Sequence, residues 1–168
     1  ESVAKAFERT GPPLIVTTAD HALLEARWVS ELVAKTPSDA DLSVMMARRS
    51  DIERALPETQ RTYLRFADGE WSGCNLFYLA SPRAEAALAT WRAVEADRKR
   101  PWKLVARLGL RNLFSYAIGR LTLADALARL GRRIGLEARL VAASDGRAAI
   151  DVDKMRDLDD VRRLLDQD

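Results

Sequence analysis

The chain has 168 residues, of which 48% are apolar and 31% charged, a composition that suits one folded domain with a sizeable core. Its 27 basic and 25 acidic side chains leave a net charge of +2, which argues against a strongly cationic nucleic-acid or membrane binder. Cys74 is the only cysteine and His21 the only histidine. This excludes an internal disulfide and histidine-rich zinc sites, and it favours a reducing compartment.

No run approaches the roughly 18 apolar residues of a membrane span, and no signal-peptide pattern is visible. We therefore expect a cytoplasmic protein. Glu1 stands where a starting methionine would be, which indicates that residue 1 is not the native N-terminus.

Helix and strand signals alternate in the first half of the chain. A helix is predicted over residues 2–9, because Gly11 and two prolines follow it. The apolar run at 14–16 lacks alternation, which predicts a buried and parallel strand. An apolar stripe over 24–33 predicts a helix, and a second strand follows at 41–47.

Turn and cap residues mark the elements that come next. Residues 50–53 form a capping box that predicts the start of a short helix. Asp68-Gly69 lies between β-rich flanks and predicts a hairpin over residues 63–71, after which 74–80 continue as an apolar strand. Ser81-Pro82 then predicts the start of another helix.

The last part of the chain begins with a long region without strand signals. Apolar residues over 110–121 recur at helical spacing, and Thr122 caps a helix that reaches about residue 135. Residues 137–144 and 148–153 predict two strands, and 158–165 a closing helix. We therefore predict one α/β domain over residues 1–168, with a helical insertion at 97–135.

Asp20 ends the apolar run of "PPLIVTTADHALL" (residues 12–24) and precedes a predicted helix. Two interpretations of Asp20 are open. As an N-cap it would accept hydrogen bonds from the first N–H groups of the helix. As the last residue of a strand it would lie where open α/β sheets bind their ligands.

A second acidic segment, "AAIDVDKMRDL", carries Asp151 and Asp153 around Val152. Strand alternation would place both carboxylates on one face, where they repel each other unless a cation neutralises them. Asp157 has a structural role as an N-cap or first-turn acid of the last helix. Asp153 has none, and a pair of Asp20 and Asp153 at one sheet edge would suit Mg²⁺.

"PLIVTTADHALL" and "AAIDVDKMRDLDDVRRLL" resemble the two metal-binding segments of the MobA-like nucleotidyltransferases, which have the Rossmann-like, nucleotide-diphospho-sugar transferase (GT-A type) fold. The resemblance implies a mixed, mostly parallel sheet with helices on both faces. It implies that Asp20 and Asp153 bind Mg²⁺ and that Thr18 and Ala19 contact substrate. "SGCNLFYL" (72–79) resembles the acceptor-side strand of the family, which carries substrate contacts over to Gly73 and Asn75.

The activity implied by this resemblance is transfer of a nucleoside monophosphate from an NTP to a phosphorylated small-molecule acceptor, with release of pyrophosphate. The glycine-rich triphosphate loop of the family has no counterpart in this sequence. We therefore expect a chain that lacks an N-terminal segment. The alternative is a non-catalytic nucleotide-binding or scaffold domain of the same fold.

Other residues have a structural as well as a functional interpretation. Lys103, in a basic cluster that begins at Arg98 and surrounds Trp102, could contact a substrate phosphate, line a nucleic-acid surface or lie at a solvated helix junction. Arg61 could reach an anionic ligand or be exposed.

The remaining candidates are expected to have mainly structural roles. Cys74 is expected to be a buried small side chain, and His21 to serve in loop packing or in a hydrogen bond to a nearby carboxylate. The 110–121 stripe is expected in the core, although it could also cover the acceptor or form a homodimer surface.

Overall fold

The computed structural model describes residues 2–57, 59, 61, 63–96, 114–116, 118–152 and 154–166, with the backbone alone for 91–96. The helices of this part are α1 (Ser2–Thr10), α2 (Ala26–Lys35), α3 (Arg49–Ala55), α4 (Glu85–Ala96), α5 (Leu123–Arg133) and α6 (Met155–Leu165). Short 3₁₀ turns lie at Pro82–Ala84 and Gly146–Ala149. None of the described helices has both the length and the apolar character that a membrane crossing requires.

Five strands form one mixed sheet: β1 (Leu14–Thr17), β2 (Leu42–Arg48), β3 (Leu64–Phe66), β4 (Gly69–Leu79) and β5 (Ala138–Ala142). Their order is β1-β4-β2-β5, and β3 also pairs with β4. β4 runs antiparallel to β1, β2 and β3, whereas β2 and β5 are parallel. The sheet is mixed as predicted, but a mostly parallel arrangement is not confirmed for the described strands. The prediction of a buried and parallel strand at 14–16 is wrong, because β1 runs antiparallel to β4 at the end of the strand order and its residues are only partly buried.

The antiparallel direction of β4 follows from the hairpin that it forms with β3. The turn at Asp68-Gly69 reverses the chain, so that the long strand β4 returns between β1 and β2. Gly69 has a φ of 128°, which favours glycine. Asp68 Oδ1 accepts a hydrogen bond of 3.0 Å from the backbone N–H of Leu123, which ties the turn to the first residue of α5. The hairpin prediction is confirmed.

One face of the sheet is covered by α2, α3 and α6. Trp28 and Leu32 of α2, Ile52 of α3 and Leu164 of α6 are buried in one cluster with Met45 of β2. Burial of these large apolar side chains is the main source of stability of this layer.

The opposite face is covered by α1, α4 and α5. Phe7 of α1 and Leu88 of α4 contact Leu79 of β4, and Leu123 of α5 lies in a cluster with Met46 of β2. Neighbouring residues of β2 thus point to opposite layers, as strand geometry requires. The predicted placement of helices on both faces is confirmed for these elements.

Asp41 anchors the end of the sheet where β2 begins. Its buried carboxylate accepts hydrogen bonds from the Ser81 hydroxyl and, over 2.8 Å, from the Glu137 N–H, which precedes β5. Burial alone would raise the pKa of Asp41, but these two bonds outweigh it, and the pKa lies below its ordinary value. Arg83 and Arg139 act in the same direction.

Two further local predictions were wrong. Residues 148–153 were expected to form a strand, but the described part of this segment contains the turn Gly146–Ala149 followed by extended residues. A Cβ at Gly146 would lie 2.2 Å from the Asp51 carbonyl oxygen, so glycine lets this turn lie directly on α3. The capping box at 50–53 does not start α3, because the helix begins at Arg49 and its N-cap has no side-chain cap bond.

The helical insertion predicted at 97–135 is described only in part. Its last helix is α5, and Thr122 Oγ1 accepts a 3.0 Å hydrogen bond from the Asp125 N–H as the cap predicted. Residues 97–113 lie outside the described part of the chain. Of the 110–121 stripe, Leu121 is buried, whereas Phe114 and Ile118 are exposed, so the core prediction is wrong for these two.

Candidate active site

β1, β2 and β5 run in one direction, so their carboxyl ends meet at one edge of the sheet. The loop with Asp20 follows β1, and the segment with Asp151 follows β5. The two segments are in contact, because the backbone N–H of Val152 donates a hydrogen bond of 3.0 Å to the carbonyl oxygen of Asp20. We refer to this edge, formed by residues 18–21 and 150–152, as the rim.

The rim loop holds the Asp20 side chain in an unusual environment. The carbonyl of Asp20 also accepts from the Ala22 N–H over 2.9 Å, which closes a tight turn. Side-chain Oδ1 is buried and has no hydrogen-bond partner among the described residues. The N-cap of α2 is Glu25, so the alternative in which Asp20 caps that helix is wrong.

His21, the next residue, is buried beneath the loop. Its Nδ1 lies 3.3 Å from Thr17 Oγ1, and its ring stacks on Trp28 with the centroids 5.8 Å apart. Burial lowers the pKa of His21, and the carboxylates of Asp151 and Asp20 offset this only in part. The ring is therefore neutral at pH 7, and the predicted packing role of His21 is confirmed.

Asp151 is held by two side chains from distant parts of the chain. Arg61 Nη2 forms an ion pair with Asp151 Oδ1, and Asn75 Nδ2 donates to Oδ2 over 2.7 Å. The side chains of Arg61 and Asp151 are only 14% and 15% exposed. Arg61 Nε is buried and has no hydrogen-bond partner in the described part of the chain.

Asn75 reaches Asp151 from an irregular point of β4. Between the pairs Val44↔Phe77 and Met46↔Gly73 the β2–β4 register shifts, which is a β-bulge. Asn75 lies in this bulge with a φ of 50°, a left-handed conformation that is uncommon for residues other than glycine. It is adjacent to the last pair of β1 with β4, which places it at the rim.

The other predicted site residues lie in the rim loop, in β4 or outside the described residues. Thr18 and Ala19 are exposed in the rim loop. Gly73 belongs to β4, where an added Cβ would make only an ordinary contact, 3.9 Å from Met46 Sδ. Asp153 and Lys103 lie outside the described residues, so the carboxylate pair predicted to bind Mg²⁺ is described in one member only.

A metal site in a protein needs several ligands that lie close together. No group of three or more His, Cys, Asp or Glu side chains that could hold a metal occurs among the described residues. Both oxygens of Asp151 are engaged, whereas Asp20 offers a buried oxygen without a partner. A hard cation would satisfy this oxygen, so Asp20 fits the predicted role of a Mg²⁺ ligand.

Cys74 is buried in the core cluster, and burial raises the pKa of its thiol. A protonated and enclosed thiol is not a nucleophile at pH 7. The prediction that Cys74 is a buried small side chain is confirmed.

A solved structure of a hypothetical transferase from Thermus thermophilus is similar to this chain. The similarity has a TM-score of 0.82 and 33% sequence identity, and it covers 93% of this chain and 67% of the Thermus chain. The chain belongs to the same family as that hypothetical transferase. No protein-family model matches the sequence, and no curated protein does either. The mixed α/β architecture is thus a transferase fold, and the rim is its candidate active site.

Proposed function

We propose that this protein is a Mg²⁺-dependent nucleotidyltransferase of the MobA-like group. It would transfer a nucleoside monophosphate from an NTP to a phosphorylated small molecule, such as a sugar, polyol or cofactor phosphate, and release pyrophosphate. The observation that carries the proposal is the buried Oδ1 of Asp20, which has no partner among the described residues. It belongs to a loop whose backbone is bonded to Val152, the residue before Asp153 in the sequence. The relationship to a hypothetical transferase supports the general class.

The chemistry of this reaction requires charge neutralisation, because an anionic acceptor approaches an anionic triphosphate. An oxygen of the acceptor phosphate would form a bond to the α-phosphorus, while the bond from the α-phosphorus to the bridging oxygen breaks and pyrophosphate leaves. Mg²⁺ held by Asp20 and Asp153 would supply positive charge and orient phosphate oxygens. An ionised acceptor needs no protein nucleophile, which agrees with the buried Cys74 and the neutral His21.

A second argument for an anionic substrate comes from Arg61. Its Nη2 is engaged by Asp151, but its Nε is a buried donor without a partner among the described residues. A phosphate oxygen could accept from such a donor, and guanidinium groups suit phosphate well. The predicted substrate role of Arg61 is therefore retained in the proposal, together with those of Thr18, Ala19, Gly73 and Asn75.

A second candidate is a nucleotide-binding or scaffold domain without catalysis. It is the alternative that the sequence leaves open, because the glycine-rich loop of the MobA-like group has no counterpart within residues 1–168. Such a domain would bind a nucleotide without turning it over.

The experiment that separates the two candidates is a thermal-shift screen of full-length protein against the four NTPs, each with Mg²⁺ and with a chelator. Pyrophosphate release is then measured with the stabilising NTP and a panel of sugar, polyol and cofactor phosphates. The enzyme is expected to be stabilised by one NTP only when Mg²⁺ is present, and to release pyrophosphate with one acceptor class. Stabilisation without turnover on any acceptor would support the scaffold, and no stabilisation by any NTP would reject both.

A further inference from the structure

Each oxygen of Asp151 already accepts a hydrogen bond from the chain, whereas Oδ1 of Asp20, the other described carboxylate of the rim, has no described partner. Arg61 Nη2 donates to Oδ1 and Asn75 Nδ2 donates to Oδ2. A charged pair that is about six-sevenths buried, with a further hydrogen bond to the second oxygen, holds a carboxylate in one orientation. Asp151 is therefore fixed in orientation by its neighbours.

The backbone of Asn75 indicates that this contact is specific. A left-handed conformation inside a strand costs free energy for a residue with a Cβ. The two flanking residues, Cys74 and Leu76, are buried in the core, where a regular strand would serve as well. The bulge turns the Asn75 amide toward Asp151, which is the use that such irregularities often have next to functional sites.

The effect of Asp151 reaches Asp20 through one peptide unit. Val152 follows Asp151 directly, and its N–H is bonded to the Asp20 carbonyl. Displacement of Asp151 would move this N–H and would loosen the turn that presents Oδ1. Arg61 and Asn75 therefore act on the Asp20 loop without touching its carboxylate.

We propose that Asp151 is a positioning residue of the rim. Arg61 and Asn75 fix its carboxylate, so that the Val152 N–H holds the Asp20 loop in place, and we call this set of contacts the Asp151 lock. The inference rests on the proposed function in one respect, since the geometry that Asp151 fixes is that of the carboxylate assigned to the metal. The effect of the Asp151 lock on the Val152 N–H can be tested without any metal.

The first arm of the test is hydrogen exchange at the Val152 amide in the full-length protein. Asn75→Gly keeps a left-handed backbone but removes the amide donor, and Asp151→Asn removes the charge that holds Arg61. Both are expected to increase Val152 exchange by about tenfold or more. Asp41→Asn is the matched control, because it alters a buried, doubly bonded carboxylate at the opposite end of the sheet and should leave Val152 unchanged.

The second arm measures Mn²⁺ binding to the same proteins by calorimetry, with Mn²⁺ alone as the probe. Partners that orient a metal ligand typically change affinity by about 10–100-fold, so Asn75→Gly and Asp151→Asn should weaken Mn²⁺ binding by that amount. The double variant should bind Mn²⁺ no more weakly than either single variant, because both substitutions remove the same Asp151 lock. A direct ligand role for Asp151 predicts the opposite for Asn75→Gly, since a freed oxygen would leave affinity equal or higher.

The outcomes keep the two proposals apart. Unchanged Val152 exchange in both variants overturns the positioning role, whatever the metal does. If Val152 exchanges faster in the variants but the wild-type protein binds no Mn²⁺, the positioning role of Asp151 stands and the assignment of a metal site is rejected. Mn²⁺ affinity that is equal or tighter in Asn75→Gly overturns the claim that the lock serves Asp20.

Discussion

The backbone N–H of Val152 donates to the carbonyl oxygen of Asp20 over 3.0 Å, which joins the loop after β1 to the segment after β5. These segments come from opposite ends of the chain, yet they form one edge of the sheet. The contact joins Val152 to the backbone of Asp20, whose side-chain Oδ1 is buried and has no partner among the described residues. A cation bound to this oxygen, as proposed above, would give it the partner that the described residues do not supply.

The first prediction concerns stability in acid. The pKa of Asp41 lies below its ordinary value in the folded state, so its ionised form stabilises the fold at pH values above the unfolded pKa. Asp41→Asn should lower the free energy of unfolding by about 1–3 kcal/mol at pH 7. Because the lowered pKa belongs to the folded state, this difference should shrink as the pH falls from about 5 through the unfolded value near 3.9 and below. Urea unfolding at a series of pH values measures it, and a difference that stays constant down to pH 3 would show that Asp41 is not responsible.

The second prediction concerns the close approach of the Gly146 turn to α3. Gly146→Ala places a Cβ within 2.2 Å of the Asp51 carbonyl oxygen, so the turn must move, and we expect a loss of about 1–3 kcal/mol in the free energy of unfolding. Gly73→Ala is the control for stability, because its Cβ meets only Met46 Sδ at 3.9 Å and the loss should stay within about 0.5 kcal/mol. Equal stability of the two variants in urea unfolding would contradict the packing described here.

The third prediction concerns thiol chemistry. Because Cys74 is buried and burial raises the pKa of its thiol, the native protein should react with a disulfide reagent at least about a hundredfold more slowly than the protein in urea. Absorbance of the released thiolate gives both rates. Rapid reaction of the native protein, at a rate close to the unfolded one, would show that Cys74 is accessible.

Much of the element order could be predicted because the relevant signals are local. The glycine after Asp68 specified the hairpin, and Thr122 specified the start of α5. Strand direction could not be predicted in this way, since the apolar run of β1 is equally compatible with a parallel and an antiparallel neighbour. Its neighbour β4 comes from much later in the chain and runs the other way.

The segment at 148–153 shows a second limit of local pattern. Two alanines and an isoleucine have the composition of a short strand, but Gly146 brings the preceding turn onto α3 and no strand pairs with the segment among the described residues. Tertiary packing overrode the local preference here.

At the site, Asp20 could be found by its place after an apolar strand. The lock on Asp151 could not, because Arg61 and Asn75 lie far from Asp151 in sequence and carry no motif that names their partner. A non-glycine residue with positive φ is visible only in a structure. Both residues had been predicted to contact substrate, and the structure brings both to the rim through Asp151.

The most direct test of the account is Mg²⁺-dependent pyrophosphate release by full-length wild type, Asp20→Asn and the surface control Asp39→Asn. Asp39 is 62% exposed and pairs with Arg139, away from the rim, so its variant should keep wild-type turnover. Asp20→Asn should lose at least about a hundredfold in kcat/KM, because the carboxylate that holds the cation is gone. Its Tm should stay within about 2 °C of wild type, since Oδ1 has no described hydrogen-bond partner to lose. Wild-type turnover in Asp20→Asn would contradict the assignment of the rim as a metal-dependent active site.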